Sequence, residues 1–272
     1  MKFEINKIVE DEFGRPNGIL ILDKPVGITS HDLVYETRKK YGTKKVGHAG
    51  TLDPFASGQM IVLLGKATKL SDSFLGLDKE YEADIAFGVS TTTGDPEGEI
   101  KELRMTNEEL QINLKKLIKE FPKEYLQYVP IYSSVKIKGE KLRELARGTD
   151  RFEITDADNG EDLSKKSIKF YKNDNLVFES KLPAKIVKIY ELEILDFSVK
   201  KLEEYKNTIS KDLFEVLKQK DISELPIAKI RVKCSKGTYI RQLAEDIGVM
   251  LDTPAFLVAL RRTKIFITDQ TL

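Results

Sequence analysis

The chain has 272 residues, of which 40% are hydrophobic and 33% charged, and its formal net charge is +1. This length allows one large domain or two small ones. The single cysteine, Cys234, excludes an intramolecular disulfide and fits a cytoplasmic protein. No apolar run of about 18 residues predicts a membrane span, and the charged residues 1–18 are not typical of a signal peptide.

In chain order, the first strong signal is the apolar run GILILD (residues 18–23), which predicts a buried strand. Thr29 and Ser30 then offer an N-cap for a helix that ends near Tyr41. Thr106 and Glu109 form a capping-box pattern for a helix that ends near Phe121. The remaining predictions are strands at 59–65, 79–88 and 227–235, a strand pair within 184–197, extended chain at 132–139 and 254–266, a hairpin of 167–172 and 176–181, and helices at 67–75, 139–148 and 238–251.

The most unusual stretch is VGHAGTLDPFASGQM, from Val46 to Met60. Three glycines and a proline at this density predict a loop with special backbone angles. Asp53 precedes Pro54, which biases its backbone towards an extended conformation, so its side chain is expected to project from a stiff loop. Two other interpretations exist. A phosphate-binding loop would need the pattern GxxxxGK[ST], which is absent, and Asp53 could instead cap a helix.

GHAGTLDPFASG resembles the nucleophile motif of the TruB family of pseudouridine synthases, which convert a uridine in tRNA to pseudouridine. Further stretches resemble the family's motifs in the same order: DKPVGITSHD (23–32), DKEYEA (78–83), VPIYSSVKIKGEKLRELAR (129–147), CSKGTYIRQLAEDIG (234–248) and LRRTKIF (260–266). The resemblance implies an α+β pseudouridine synthase fold, with a mixed, largely antiparallel sheet flanked by helices. It also implies a stand-alone tRNA pseudouridine synthase that acts on the T-loop uridine at position 55 and needs neither metal nor cofactor.

The resemblance implies that Asp53 is the nucleophile and that Arg241 pairs with it, an opposite charge that would favour the ionised carboxylate. Attack at ribose C1′ or at base C6 both remain open, and we favour the sugar route through a glycal-like intermediate. By the same resemblance, Tyr81 stacks on the base and handles a proton. Without the resemblance, Arg241 could lie on a helix surface and Tyr81 could be an ordinary core residue.

The other implied contacts belong to the substrate pocket and the RNA. Tyr239 resembles a pocket wall under the base, and Leu260 an apolar pocket contact, although a plain core leucine fits equally. His48 is a poor metal candidate, since His31 is the only other histidine. The resemblance implies that His48 holds the RNA loop opened when the uridine flips out. Lys24 and Lys136 are expected to support the loop or to meet phosphates.

The domain organisation implied is one catalytic domain over residues 1–272, without the further C-terminal RNA-binding domain of many relatives. Residues 149–182 depart from the family pattern and are interpreted as an enlarged RNA-gripping thumb or a tolerated surface insertion. Residues 199–222 form a second insertion, predicted as a surface helix. Two smaller departures concern details of RNA contact: Arg143 replaces an aromatic residue, and the glycine that usually follows LRRT is absent.

Basic residues cluster before the Asp53 loop and again near the end of the chain, which suits a phosphate backbone, although a solvated surface is the ordinary explanation of one cluster. The clusters are Arg38, Lys39, Lys40, Lys44 and Lys45; Lys229, Arg231, Lys233, Lys236 and Arg241; and Arg261, Arg262 and Lys264. The expected partner is the T-arm of tRNA, with no membrane, no obligate protein partner and a monomeric state. A guide-RNA-dependent synthase subunit and a tRNA-binding or tRNA-folding protein remain alternatives.

Overall fold

The computed structural model describes residues 4–103, 109–156 and 166–268. Among these, nine strands form one large sheet, which is antiparallel except where β16 runs parallel to β4. In chain order the strands are β1 (Ile8–Glu10), β2 (Pro16–Lys24), β3 (Val46–Ala49), β4 (Ser57–Leu64), β5 (Lys79–Phe87), β6 (Val89–Thr91), β7 (Ile100–Leu103), β8 (Glu124–Tyr128), β9 (Lys136–Ile137), β10 (Glu140–Lys141), β11 (Arg151–Asp156), β12 (Lys166–Lys172), β13 (Asn175–Lys181), β14 (Ala184–Lys201), β15 (Glu224–Cys234) and β16 (Ala255–Ile265). The large sheet has the order β1-β2-β4-β16-β5-β15-β14-β8, and β3 pairs with β4.

Helices cover both faces of the large sheet, because alternate residues of its central strands point to opposite sides. The helices are α1 (Ser30–Tyr41), α2 (Ser71–Leu75), α3 (Leu110–Glu120), α4 (Leu142–Gly148), α5 (Lys211–Gln219) and α6 (Ile240–Met250), with 3-10 turns at Gly65–Leu70 and Leu202–Tyr205. Helices α3 and α6 pack on the face that carries Tyr81, Ala83 and Ile85, whereas α5 packs on the face that carries Ala86. The predicted fold class, an α+β domain with a mixed, largely antiparallel sheet, is confirmed.

The start of α1 is fixed by the predicted N-cap. Thr29 Oγ1 accepts a hydrogen bond from the Asp32 N–H at 3.1 Å, and the Asp32 carboxylate accepts one from the Thr29 N–H at 2.8 Å. The cap also positions Ser30, whose hydroxyl donates to Leu52 O at 3.0 Å and accepts from Leu52 N–H at 2.9 Å. The helix start is thereby tied to the residue that precedes Asp53.

The strand pair predicted within 184–197 is wrong. Residues Ala184–Lys201 form one 18-residue strand, β14, which pairs with β8 through its first part and with β15 through the rest. The segment contains no glycine, proline or asparagine that would make a turn. Irregularities at Ile189/Glu191 and Ile194/Asp196 accommodate the change of partner without a break.

The helix predicted within 199–222 is present as α5, but it is not merely a surface helix. Its residues Leu213, Phe214 and Leu217 are at most 3% exposed and pack against β15 and β16. Because a surface insertion would not bury these side chains, the segment is part of the hydrophobic core.

The predicted hairpin is confirmed: Asn173 and Asp174 join β12 to β13 with φ values of 49° and 60°, as a two-residue hairpin turn requires. Strands β11, β12 and β13 form a small sheet that packs against α4. The predicted helix at 67–75 begins as a 3-10 turn, and only a short part of 132–139 is strand. Thr106 lies outside the described residues. In the described ranges, no helix has the length and apolarity to cross a membrane.

Candidate active site

Asp53 lies in the loop between β3 and β4, as the sequence predicted. Leu52 and Phe55, on either side of it, are buried in the central core, and the carbonyl of Pro54 accepts a hydrogen bond from the Gly27 N–H at 2.8 Å. The Asp53 side chain nevertheless keeps 38% of its surface exposed. The buried neighbours therefore anchor the backbone, while the carboxylate faces the solvent side of the site.

Arg241, the second residue of α6, faces Asp53. Its Nε lies 3.1 Å from Asp53 Oδ2, and its side chain is only 8% exposed. Nη1 donates to Thr93 O at 2.8 Å and Nη2 to Tyr132 O at 3.3 Å. The alternative of a helix-surface arginine is therefore wrong, since the guanidinium is buried and fixed from several sides.

Asp95 completes this arrangement, and the sequence analysis missed it. Its Oδ2 lies 3.1 Å from Arg241 Nη1, and Oδ1 accepts from Thr93 Oγ1 at 2.5 Å. Burial raises the pKa of the Asp95 carboxyl, while the Arg241 guanidinium opposes that rise. The sequence STTTGDPEGE (residues 90–99) predicts only a turn. The Asp95-Pro96 step, which repeats the Asp-Pro step at 53–54, was the available signal.

Gln127 sets the start of α6 and was also missed. This fully buried side chain accepts from the Tyr239 N–H at 2.8 Å and donates to Tyr239 O at 3.1 Å and to Tyr125 Oη at 2.7 Å. Tyr239 itself is half-buried, and Lys185 Nζ lies 4.6 Å from its ring centroid. The amide thus holds the backbone two residues before Arg241.

Tyr81 and Leu260 lie behind Asp53 on β5 and β16. They are 7% and 8% exposed and belong to the core cluster that contains Leu52 and Phe55. Burial raises the pKa of the Tyr81 phenol, and the Asp53 carboxylate adds to that rise. Both side chains are buried core residues that lie next to the Asp53 loop. Their burial is compatible with a packing role and with a substrate-binding role.

His48, on β3, packs edge-on against His31, with ring centroids 5.6 Å apart and planes at 82°. Burial lowers the pKa of the His48 imidazole, and His31 and Arg262 lower it further. Its Nδ1 is buried and lacks a hydrogen-bond partner among the residues that the structure describes. A neutral ring with a free nitrogen therefore stands at the entry to the Asp53 loop.

Two buried cations support the same loop. Lys24 is 0% exposed, and its Nζ donates to Pro25 O, Ile28 O and Pro54 O at 2.9, 2.7 and 3.4 Å. Burial lowers the pKa of Lys24, and the Asp53 carboxylate opposes this. Of the two roles expected for Lys24, these contacts favour support of the Asp53 loop. Lys136, for which the same roles were expected, is exposed. Arg262 is 1% exposed, although the sequence analysis counted it only in a basic cluster.

The basic clusters differ in the structure. All five residues of the first cluster (Arg38, Lys39, Lys40, Lys44 and Lys45) are exposed at the end of α1 and just after it. In the second, Lys229 and Arg231 pair with Glu82, and Lys233 pairs with Glu191. The second cluster is thus largely neutralised. In the third, Arg261 pairs with Asp23, Arg262 is buried and Lys264 is exposed, so the first cluster is the most open of the three. No group of three or more potential metal ligands occurs in the described ranges.

The chain is similar to known proteins over most of its length. Residues 38–159 match the family described as TruB family pseudouridylate synthase (N terminal domain). The chain is 36% identical over 264 residues to the tRNA pseudouridine synthase B of Endomicrobium trichonymphae, covering 96% of this chain and 90% of that protein. It is 38% identical to the tRNA pseudouridine synthase B of Caldicellulosiruptor saccharolyticus, covering 93% of this chain and 69% of the relative.

Solved structures share the fold. The structure of a Cbf5-Nop10-Gar1 complex contains a chain that superposes with a TM-score of 0.52 at 23% identity, over 97% of this chain and 58% of the other. The structure of an H/ACA RNP bound to a substrate RNA that contains 2'-deoxyuridine gives a TM-score of 0.51 at 22% identity, over 100% of this chain and 59% of the other. The sequence matches cover nearly the whole chain, and this chain belongs to the TruB family of pseudouridylate synthases.

Proposed function

We propose that this chain isomerises a uridine of tRNA to pseudouridine, at position 55 in the T-loop, with Asp53 as nucleophile. The observation that carries the proposal is the partly exposed Asp53 carboxylate held 3.1 Å from the buried Arg241 guanidinium. The relatives named tRNA pseudouridine synthase B support the choice of tRNA. The reaction is an isomerisation, which a nucleophile that forms a transient covalent bond can catalyse without a redox step.

The reaction breaks the bond between ribose C1′ and uracil N1 and forms a bond between C1′ and C5. Asp53 is suited to this step because its carboxylate is partly exposed and Arg241 holds it in one direction. We favour the sugar route through a glycal-like intermediate: the Asp53 carboxylate takes the ribose 2′ proton as the C1′–N1 bond breaks, and the proton returns to C2′ when C1′ bonds to C5. Deuterium at C2′ of the target uridine should then slow product formation in single turnover, and an equal rate for both substrates would argue against the glycal-like intermediate.

The remaining pocket residues hold the flipped uridine. In our proposal Tyr81 stacks on the base, Tyr239 and Leu260 line its pocket, and His48 occupies the space that the base leaves in the RNA loop. The exposed basic cluster at 38–45 and the small sheet of β11, β12 and β13 contact the tRNA backbone. The chain works in this scheme as a monomer without a guide RNA, a metal or a protein partner.

The test is incubation of the purified protein with an unmodified tRNA transcript alone, followed by mapping of pseudouridine. Product at the T-loop uridine supports the proposal. Asp53→Asn should bind the tRNA with an unchanged Kd and form no product, whereas the exposed control Asp72→Asn should remain active. Full activity of Asp53→Asn would refute the nucleophile assignment. Bound tRNA without product from the unaltered protein would favour a guide-dependent enzyme or a tRNA-binding protein.

A further inference from the structure

The guanidinium of Arg262 is a buried charge whose acceptors are main-chain carbonyls. Nε donates to Gln59 O at 2.6 Å and Nη2 to Gly50 O at 3.2 Å, and the residue is 1% exposed. Within residues 4–103, 109–156 and 166–268, no carboxylate lies within the 4.0 Å of an ion pair with it. A buried cation that is not neutralised locally exerts a strong field on the polar groups beside it, because little water screens it.

The polar side chain beside it is Tyr81. The register of the sheet pairs Arg262 with Tyr81 across β16 and β5, and with Gly58 across β16 and β4. Directly paired residues on neighbouring strands point to the same face of the sheet, so the Arg262 side chain lies beside that of Tyr81. Burial raises the pKa of the Tyr81 phenol, and the Arg262 guanidinium opposes that rise.

Arg262 also spans the loop that carries Asp53. Its two main-chain acceptors, Gly50 and Gln59, lie on either side of Asp53 in the sequence. One side chain thus connects both ends of the Asp53 loop at a position paired with Tyr81. Any shift of the guanidinium would move these groups relative to one another.

We propose that Arg262 is a positioning residue of the isomerisation, which fixes the loop that carries Asp53 and places a buried positive charge beside Tyr81. This inference rests on the proposed function. The rearranged uracil loses one proton at C5 and gains one at N1. A hydroxyl that gives its proton to N1 and then takes the C5 proton ends unchanged. The Arg262 charge stabilises the phenolate that exists between these two transfers.

A double-mutant cycle tests this role. Arg262→Gln, Tyr81→Phe and the double variant are compared in single-turnover conversion of a tRNA transcript at saturating enzyme, with Kd measured separately. We expect Arg262→Gln to slow conversion about 100-fold at little cost in Kd, and to add almost nothing to the loss in Tyr81→Phe. Arg231→Gln, which removes a partly exposed guanidinium on the sheet surface, should stay within about twofold of the unaltered protein.

Rescue by lysine separates charge from packing. Arg262→Lys, which retains the charge, should recover part of the rate, whereas Arg262→Gln, which retains only neutral hydrogen-bond donors, should not. Losses that multiply in the double variant, or equal rates for the two substitutions, would overturn the role. If Arg262→Gln does not fold, fluorotyrosine, which has a more acidic phenol, can be placed at position 81. This replacement should accelerate Arg262→Lys more than the unaltered protein. An equal effect on both proteins would overturn the role of Arg262. No product from the unaltered protein refutes the proposed function as well, whereas product with multiplicative losses refutes only the role of Arg262.

Discussion

Gly58 lies where the Asp53 loop enters β4 against the backbone of β16, and we predict that Gly58→Ala is unusually destabilising. Its φ is +109°, in the region that L side chains rarely adopt. A Cβ on this residue would lie 2.2 Å from Arg262 O, 2.8 Å from Arg262 N and 2.9 Å from Arg262 C. These are backbone atoms, so no side-chain rotation can relieve the overlap, and β4 and β16 must move apart.

The chain offers a matched control in Gly139, between β9 and β10. Its φ is +93°, but no heavy atom lies within 4 Å of the position that a Cβ would take. Gly139→Ala should therefore carry only the backbone cost, about 1–2 kcal/mol. Gly58→Ala should carry that cost plus an overpacking term of about 1–3 kcal/mol. The difference between the variants should thus be about 2 kcal/mol, which corresponds to roughly 4–8 °C in Tm for a domain of this size.

The free energy of unfolding can be measured by urea denaturation followed by circular dichroism, with m values compared to confirm that the transitions are alike. Single-turnover conversion of tRNA gives a second measurement, since separation of β4 from β16 displaces Asp53. We expect Gly58→Ala to lose activity at temperatures where it is still folded, and Gly139→Ala to keep it. Equal stability of the two variants would refute the reasoning from the backbone overlap.

Three further outcomes follow from the site. Lys24→Met should lower the free energy of unfolding by about 2–4 kcal/mol in denaturation experiments, because it leaves buried carbonyls without a donor. A loss below about 0.5 kcal/mol would contradict the supporting role of Lys24. Asp95→Asn should reduce the single-turnover rate about 100-fold with little change in Kd, since Arg241 loses the carboxylate that orients it; an unchanged rate would make Asp95 structural only. Burial raises the pKa of Glu245 to about 7 from 4.5, so the folded state prefers the protonated acid and stability falls as pH rises from about 4.5 to 7. Glu245→Gln should reduce this pH-dependent loss of unfolding free energy by up to about 3 kcal/mol. The exposed control Glu120→Gln should show the same loss as the unaltered protein in thermal melts from pH 5 to 8.

Local features of the fold could be predicted from the sequence because nearby residues determine them. The Thr29 cap needs only Asp32, three residues away, and the β12–β13 turn needs only Asn173 and Asp174. The position of Asp53 in a stiff loop followed from its own glycines and Pro54. By contrast, the length of β14 depends on two partner strands that are distant in sequence, so an interruption was predicted where none exists.

The missed site residues depend on contacts between distant parts of the chain. Asp95 is 146 residues from Arg241, and Gln127 is 112 residues from Tyr239. Arg262 is 212 residues from Gly50. Its position in a basic stretch of the sequence is typical of an exposed residue. Composition and spacing indicate exposure only on average, so they could not show that one cation of a basic stretch is buried at a position paired with Tyr81.

The position of β16 between β4 and β5 has a consequence for synthesis of the protein. These two strands are separated by only 14 residues, from Leu64 to Lys79, yet they are not hydrogen-bonded to each other and are joined through β16. While the ribosome is still translating the segment before Ala255, the sheet therefore remains in two unconnected parts. The Asp53 loop lacks the Arg262 bonds in such a nascent chain, so the enzyme becomes competent to modify tRNA only after the β16 segment has left the exit tunnel.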